Sequence, residues 1–188
     1  MNKYLTLLGC LAALSFPRAE AMTSSGTIGV SLTLTNGCLI NGSASQNGIP
    51  FGNLDFGVSP ATFTQLSTQL AGAGNGGNTF GVQCTNNSYS VVVTGNTNTV
   101  APATTIGTPG STARYLRSTD NSSQGVAYSL YSDGSFSSEI ANNSPLSRSS
   151  AVDGVDYYTL YGRIKGGGNN MAVVPGIYTD TINVSVIY

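Results

Sequence analysis

From Gly26 to Thr35 the chain reads GTIGVSLTLT, with Ile28, Val30, Leu32 and Leu34 in strict alternation with small or hydroxylated residues. A period of two gives an extended strand one apolar face and one polar face. Such a strand needs a groove to cover its apolar face, and segments near a chain terminus fray unless something ties them down. The pattern demands a partner surface without saying whether it lies in the same molecule or in a neighbour.

The residues before this strand have the layout of a secretory signal. Lys3 gives a short positive start, Leu5 to Phe16 is mostly apolar, and Ala19-Glu20-Ala21 is a small-x-small site. The apolar run is short for a membrane-spanning helix, and no later run competes. Residues 1–21 are therefore read as a signal peptide. A lipoprotein site at Leu7-Leu8-Gly9-Cys10 is the rival reading, weakened because the apolar run continues beyond Cys10. Removal of Cys10 with the signal leaves Cys38 and Cys84. In an exported protein two remaining cysteines are expected to pair, and closing a loop of that size stabilises a fold by roughly 4 kcal/mol in the chain-entropy account.

Charge is scarce. The whole chain holds 7 Lys and Arg against 8 Asp and Glu. After residue 21 the cations are Arg114, Arg117, Arg148, Arg163 and Lys165, which is no footprint for nucleic acid. Such a surface also offers little repulsion against self-association.

No helical period of useful length occurs. Pro60 to Leu70 comes nearest, but its threonines and Phe63 favour strand or loop. Strands are expected at Cys38–Ile40, Thr79–Cys84, Tyr89–Thr94, Val126–Tyr131, Tyr157–Ile164 and Tyr178–Tyr188. Asp133-Gly134 has hairpin chemistry. Ala71–Asn78 and Gly166–Asn170 read as loops, and Asn96–Ser123 as a surface excursion around a short strand at Tyr115-Leu116. The layout is that of an all-β sandwich. Its last segment, GIYTDTINVSVIY, puts Tyr178, Ile182, Val184, Val186 and Tyr188 on one face, interrupted by Asp180. With no residue after Tyr188 to form a hairpin partner, this strand is expected either to be covered on both sides within the domain or to offer an edge for strand addition.

Chemistry is thin. There is no histidine, so the usual general base and metal ligand are missing. Paired cysteines leave no thiolate nucleophile. Asp153 and Asp156 stand close in sequence but lack the further oxygen ligands a calcium site needs, and read as a solvated turn. The Gly-rich stretch at Gly72–Gly77 lacks the lysine and helix of a phosphate loop. Several Asn-x-Ser triplets, at Asn41, Asn86, Asn121, Asn142 and Asn183, are expected by chance in so Asn- and Ser-rich a chain. An enzyme is not expected, and no catalytic residue, cofactor or metal site is assigned.

The chain resembles the spore coat U and Csu-type pilins, the subunits of archaic chaperone–usher pili in Gram-negative bacteria. The matching pieces stand in the family's order: the alternating strand running into Thr35-Asn36-Gly37-Cys38, the signature Phe51-Gly52-Asn53-Leu54-Asp55-Phe56-Gly57, and Phe80-Gly81-Val82-Gln83-Cys84. Tyr128-Ser129-Leu130-Tyr131-Ser132-Asp133, Tyr161-Gly162-Arg163-Ile164 and Pro175-Gly176-Ile177-Tyr178-Thr179-Asp180 follow. Asn96–Thr119 has no clear counterpart. The resemblance implies an incomplete immunoglobulin-like β-sandwich lacking its last strand and completed by donor-strand complementation. It divides the chain into a signal peptide (1–21), a donor strand (22–35) and a spore coat U-like pilin domain (36–188).

The same resemblance implies the partners: a periplasmic pilus chaperone, an outer-membrane usher, and neighbouring copies or related pilins. Ile28, Val30, Leu32 and Leu34 would be donor plugs, and Ile182, Val184, Val186 and Tyr188 the edge that meets first the chaperone and then the incoming donor. The expected function is that of a structural pilus subunit exported through the periplasm to the cell surface, supporting attachment and biofilm formation. A secreted spore-coat-type shell protein of the same family is the alternative. A monomeric carbohydrate-binding sandwich is the rival from another class, and the absence of Trp speaks against it.

Overall fold

The computed structural model describes residues 22–73, 77–166 and 172–188. The signal-peptide expectation for residues 1–21, and most of the loop expected at Gly166–Asn170, lie outside them. Two units part between Leu34 and Thr35. In the first, residues 22–34 carry neither strand nor helix, and Ile28, Val30, Leu32 and Leu34 are 81 to 92% exposed.

In the second unit every regular element among the described residues is a strand. In chain order these are β1 (Cys38–Ile40), β2 (Gly52–Asn53), β3 (Gln65–Gln69), β4 (Ala71–Gly72), β5 (Phe80–Cys84), β6 (Ser90–Asn96), β7 (Thr104–Ile106) and β8 (Tyr115–Ser118). They continue as β9 (Gln124–Ala127), β10 (Ser129–Tyr131), β11 (Ser150–Val152), β12 (Val155–Tyr158), β13 (Tyr161–Lys165), β14 (Tyr178–Thr179) and β15 (Ile182–Ile187). Three sheets run in the orders β1-β5-β12-β11, β10-β13-β3 and β14-β8-β9-β7, and β15-β6 and β2-β4 form two-stranded ribbons. The architecture is an immunoglobulin-like β-sandwich. Its core is built from Phe80, Val82, Val91, Val93, Leu130 and Ile164, all within one buried cluster. Within Pro60–Leu70, residues Gln65–Gln69 form strand β3 and the residues before them form a turn and loop.

Three runs that alternate as single strands are each broken in two. Val126–Tyr131 splits at Tyr128, with β9 pairing to β8 and β10 to β13. Tyr157–Ile164 splits at Thr159-Leu160, with β12 pairing to β5 and β13 to β3. Tyr178–Tyr188 splits at Asp180-Thr181. In each case the chain turns a corner from one sheet to another, as strands of folded-over sandwiches do.

The short strand expected at Tyr115-Leu116 is β8, but the rest of Asn96–Ser123 is not simply a surface excursion. The segment contributes β7 and β8, and β8 lies inside its sheet between β14 and β9. Ile106 and Tyr115 are buried and Arg114 has no exposed surface. Pro102 is buried and packs, since a Cβ at Gly125 would stand 2.6 Å from its Cγ, whereas Pro109 is exposed.

The turn chemistry also falls elsewhere than expected. Asp133-Gly134 is part of a longer loop closed by Ser132 N–H donating to Ser138 O at 3.1 Å. The Asp133 carboxylate accepts from the Ser137 and Ser138 amides at 3.1 and 2.8 Å. A two-residue hairpin stands instead at Asp153-Gly154, between Val152 and Val155. Both residues have positive φ, 50° and 78°, the requirement of the type I′ turn that matches strand twist.

Candidate functional site

The C-terminal strand is half-finished. β15 pairs antiparallel with β6, from Ile182 opposite Asn96 to Ile187 opposite Ser90, and its other edge meets no strand among the described residues. A register shift between Asn183 and Val184 leaves Thr94 of β6 without a partner residue. This bulge lies in β6, so the alternation of β15 continues unbroken. Ile182, Val184 and Val186 pack, partly buried, against the core, while Asn183 and Ile187 face outward.

Beside that free edge lies a cavity of about 640 Å³. Ile182, Val184, Val186 and Tyr188 line one side, and Ile40, Ile49 and Phe51 line the other. A second cavity of about 280 Å³ continues it over Leu54, Phe56, Leu70, Leu116 and Leu160, sharing Phe51, Ile182 and Val184 with the first. Together they form one trough along the strand, its apolar side chains interleaved with polar ones such as Ser45, Asn47, Thr181 and Ser185.

The far wall owes its position to the Phe51–Gly57 signature. Phe51 meets Phe80 edge-on at 4.9 Å between centroids. Phe56 lies against Tyr128 at 6.3 Å and over Gly162, where a Cβ would come within 2.8 Å of its ring. Ile40, Ile49, Phe51, Leu54 and Phe56 were not assigned to a site from sequence. Their signal was present only as a family signature, because Phe51, Leu54 and Phe56 keep no single period.

Cys38 and Cys84 are bonded, with Cα atoms 4.0 Å apart, and stand opposite each other in the β1–β5 ladder. The bridge fixes β1 at the mouth of the trough. Just before it, Gly37 N–H donates to Thr85 Oγ1 at 3.0 Å and Gly37 O accepts from the Thr85 amide at 2.9 Å. These bonds extend the β1–β5 ladder by one residue.

One carboxyl group lines the trough. Asp180 sits between β14 and β15 among Leu54, Phe56, Leu116 and Ile182. It accepts from Tyr128 OH at 2.7 Å and Asn96 Nδ2 at 2.7 Å. Burial, with the Asp180 charge beside it, pushes the Tyr128 phenol far up. Arg114 donates to Asn142 Oδ1 at 2.7 Å. Burial lowers its guanidinium pKa against the opposing fields of Tyr128, Glu139 and Asp180. On the outer sheet, Asp156 accepts from the Tyr89 hydroxyl and pairs with Arg148 at 2.8 Å.

The arrangement offers a surface for main-chain pairing and apolar insertion. Among the described residues no group of three or more His, Cys, Asp or Glu is placed to hold a metal ion, and no helix is long and apolar enough to cross a membrane.

A family model for the Spore Coat Protein U domain matches residues 24–185. The chain belongs to the Spore Coat Protein U domain family. That match takes in the alternating segment before Cys38 as well as the sandwich. No curated protein matches the chain. Spore Coat Protein U domains belong to pilus- or coat-type surface proteins, which agrees with the fold and the bridge. Of the residues singled out from sequence, the structure brings Ile182, Val184, Val186 and Tyr188 together on one wall and joins Cys38 to Cys84. Ile28, Val30, Leu32 and Leu34 lie in the strandless, exposed segment.

Proposed function

We propose that this protein is the structural subunit of a chaperone–usher surface fibre that polymerises by donor-strand exchange. The observation that carries the reading is the edge of β15, unpaired among the described residues, beside a trough of about 640 Å³ into which Ile182, Val184 and Val186 face. An exposed edge with apolar pockets is a template for strand addition, in which main-chain bonds supply affinity and alternate side chains supply register.

The donor is the 22–34 segment of another copy or of a related pilin. Ile28 to Leu34 and Ile182 to Tyr188 are runs of the same length, each presenting an apolar residue at every second position. Burying four aliphatic side chains contributes roughly 6–12 kcal/mol before ordering costs. Each subunit gives one strand and receives one, so the contact is heterologous and open, and it builds a filament. Before assembly a periplasmic chaperone covers the trough, and an outer-membrane usher hands the subunit on. The filament serves attachment and biofilm formation.

The test is to delete Met22 to Leu34 and express the remainder with a periplasmic chaperone. A soluble 1:1 complex that never polymerises is expected. A truncated chain that folds as a stable monomer without the chaperone overturns the reading.

A further inference from the structure

Asp180 interrupts what is otherwise one amphipathic strand, and its surroundings give the interruption a use. Before it, β14 pairs with β8, Tyr178 opposite Ser118 and Thr179 opposite Arg117. After it, β15 pairs with β6. The carboxylate is the pivot. Oδ2 accepts from Asn96 Nδ2 and Tyr128 OH, both at 2.7 Å. Oδ1 accepts from the Asn98 amide at 3.0 Å and the Thr181 amide at 2.8 Å. An ionised carboxylate has about four lone-pair sites, so this one has no room for a donor from an incoming strand. The neighbouring carbonyls are engaged as well, Thr179 O by Asn98 Nδ2 at 3.1 Å and Thr181 O by the Thr97 amide at 2.9 Å. Yet Asp180 lines the same trough as Leu54, Phe56, Ile182 and Val184.

Resting on the donor-strand reading above, we propose that Asp180 is the register stop of the acceptor trough. An added strand has its apolar residues facing Ile182 to Tyr188 and a residue without an apolar side chain over Asp180. Sliding it by two residues places an aliphatic side chain on a saturated carboxylate, where it gains neither a dry pocket nor a polar partner.

The 22–34 segment and its flanks fit this rule from either direction. The face that carries Ile28, Val30, Leu32 and Leu34 continues to Gly26 on one side and Asn36 on the other. Four apolar positions bounded by glycine or asparagine thus meet four apolar positions bounded by aspartate. With the runs aligned, Ser31 at the centre of one stands opposite Ser185 at the centre of the other, whether the strands are parallel or antiparallel. A two-residue slip over Asp180 puts Ser31 opposite Asn183 instead, again in either direction. Both pairs lie on the face turned away from the plugs, so cysteines there leave the plugs intact. Directly opposed residues have Cβ atoms about 4.5–5.5 Å apart, close enough for a disulfide to form with a small shift.

The experiment assembles fibres from full-length subunits carrying Ser31→Cys with Ser185→Cys, or Ser31→Cys with Asn183→Cys. Each pair is made with Asp180 intact and with Asp180→Leu. After mild oxidation, covalent ladders are read on non-reducing gels. With Asp180 intact, a ladder is expected from the 31/185 pair and at least tenfold less from 31/183. With Asp180→Leu, the 31/183 ladder should rise to a comparable yield. An unchanged 31/183 yield in Asp180→Leu fibres, or a dominant 31/183 ladder with Asp180 intact, overturns the register stop while leaving strand exchange standing. No ladder from either pair in any fibre overturns strand exchange itself, and the register stop with it.

Should Asp180→Leu subunits fail to fold, a donor-side variant decides. Gly26→Val with Leu34→Asn moves the apolar run by two residues and leaves the trough untouched. The cross-link from residue 31 should then leave 185 for 183 or 187. Persistence at 185 overturns the proposal.

Discussion

The two ends of this chain share one pattern and meet different fates. Ile28, Val30, Leu32 and Leu34 alternate as cleanly as Ile182, Val184, Val186 and Tyr188. The C-terminal run has a ladder to β6 and a core to lie on. The N-terminal run has neither strand nor cover. Alternation specifies which face wants burial, whereas the partner is supplied by what lies beside the strand. An alternating segment without a groove and a groove without a second strand are the two halves that the proposed exchange would join.

The largest expected effects come from placing a charge on each side of that complement. Leu32→Asp puts a carboxylate where a plug enters an apolar pocket, at a penalty of several kcal/mol. Leu32 is 81% exposed. Fibres should be lost while the chaperone complex forms normally, as read by pull-down and electron microscopy. Val184→Asp damages the receiving wall and the core together, and should abolish both. Equal loss of fibre and chaperone binding in Leu32→Asp breaks the distinction between the ends.

Next in size is the bridge. Cys38→Ala with Cys84→Ala removes a closed loop of 46 residues' separation, with an expected loss of roughly 4 kcal/mol. Urea unfolding of the chaperone-free, donor-complemented domain measures it. The loss belongs to the receiving end, because the bridge holds β1 at the trough, and a synthetic 22–34 peptide should bind the variant more weakly. Unchanged affinity would detach β1 from the acceptor site.

Much of this was legible in the sequence, and the failures share a physical cause. β1, β5 and β6 lie within a residue or two of the short runs expected from the sequence, and in β6 the consecutive Val91, Val92 and Val93 are all buried. Val126–Tyr131, Tyr157–Ile164 and Tyr178–Tyr188 read as unbroken strands because alternation is blind to a change of ladder partner. Only the tertiary fold tells β9 to pair with β8 and β10 with β13. Asn96–Ser123 misled through composition. Its threonines, glycines and prolines look solvated, yet Arg114 is fully buried and Pro102 packs on Gly125. At the site, the β15 wall was readable by period. The facing wall was not, since Ile40, Ile49, Phe51, Leu54 and Phe56 come from a short strand and loops without one.

Acid should separate the two ends more gently. Residues 22–34 contain no titratable side chain. In the domain, the Tyr89 hydroxyl and Arg148 hold Asp156 below the ordinary 3.8 against some desolvation. Burial opposes ionisation of Glu139, but the Thr112 and Ser111 amides outweigh it and keep that carboxyl below the ordinary 4.5. A depressed carboxylate contributes stability that is present above its unfolded value and is lost as pH falls through its folded value. The domain's urea midpoint should therefore hold from pH 7 down to about 5 and decline below about 4. Glu139→Gln should flatten that decline. A midpoint that rises in acid would contradict the sign.

The smallest effects should come from the faces turned away from the plugs. Ile187 is 59% exposed on the outward side of β15, one residue from Val186 on the trough. Ile187→Thr keeps β-branching and should change stability by about 0.5 kcal/mol or less, the range of ordinary surface substitutions. Fibre yield should also stay within the scatter of the wild type, since neither the ladder to β6 nor the trough uses that side chain. Val186→Thr, its neighbour on the inner face, should lose more in the same urea titration because the hydroxyl enters an apolar wall. A fibre defect from Ile187→Thr without a stability change would mean that assembled subunits cover the outer face of β15 as well. The two ends would then be complementary on one face only, with a further contact on the other.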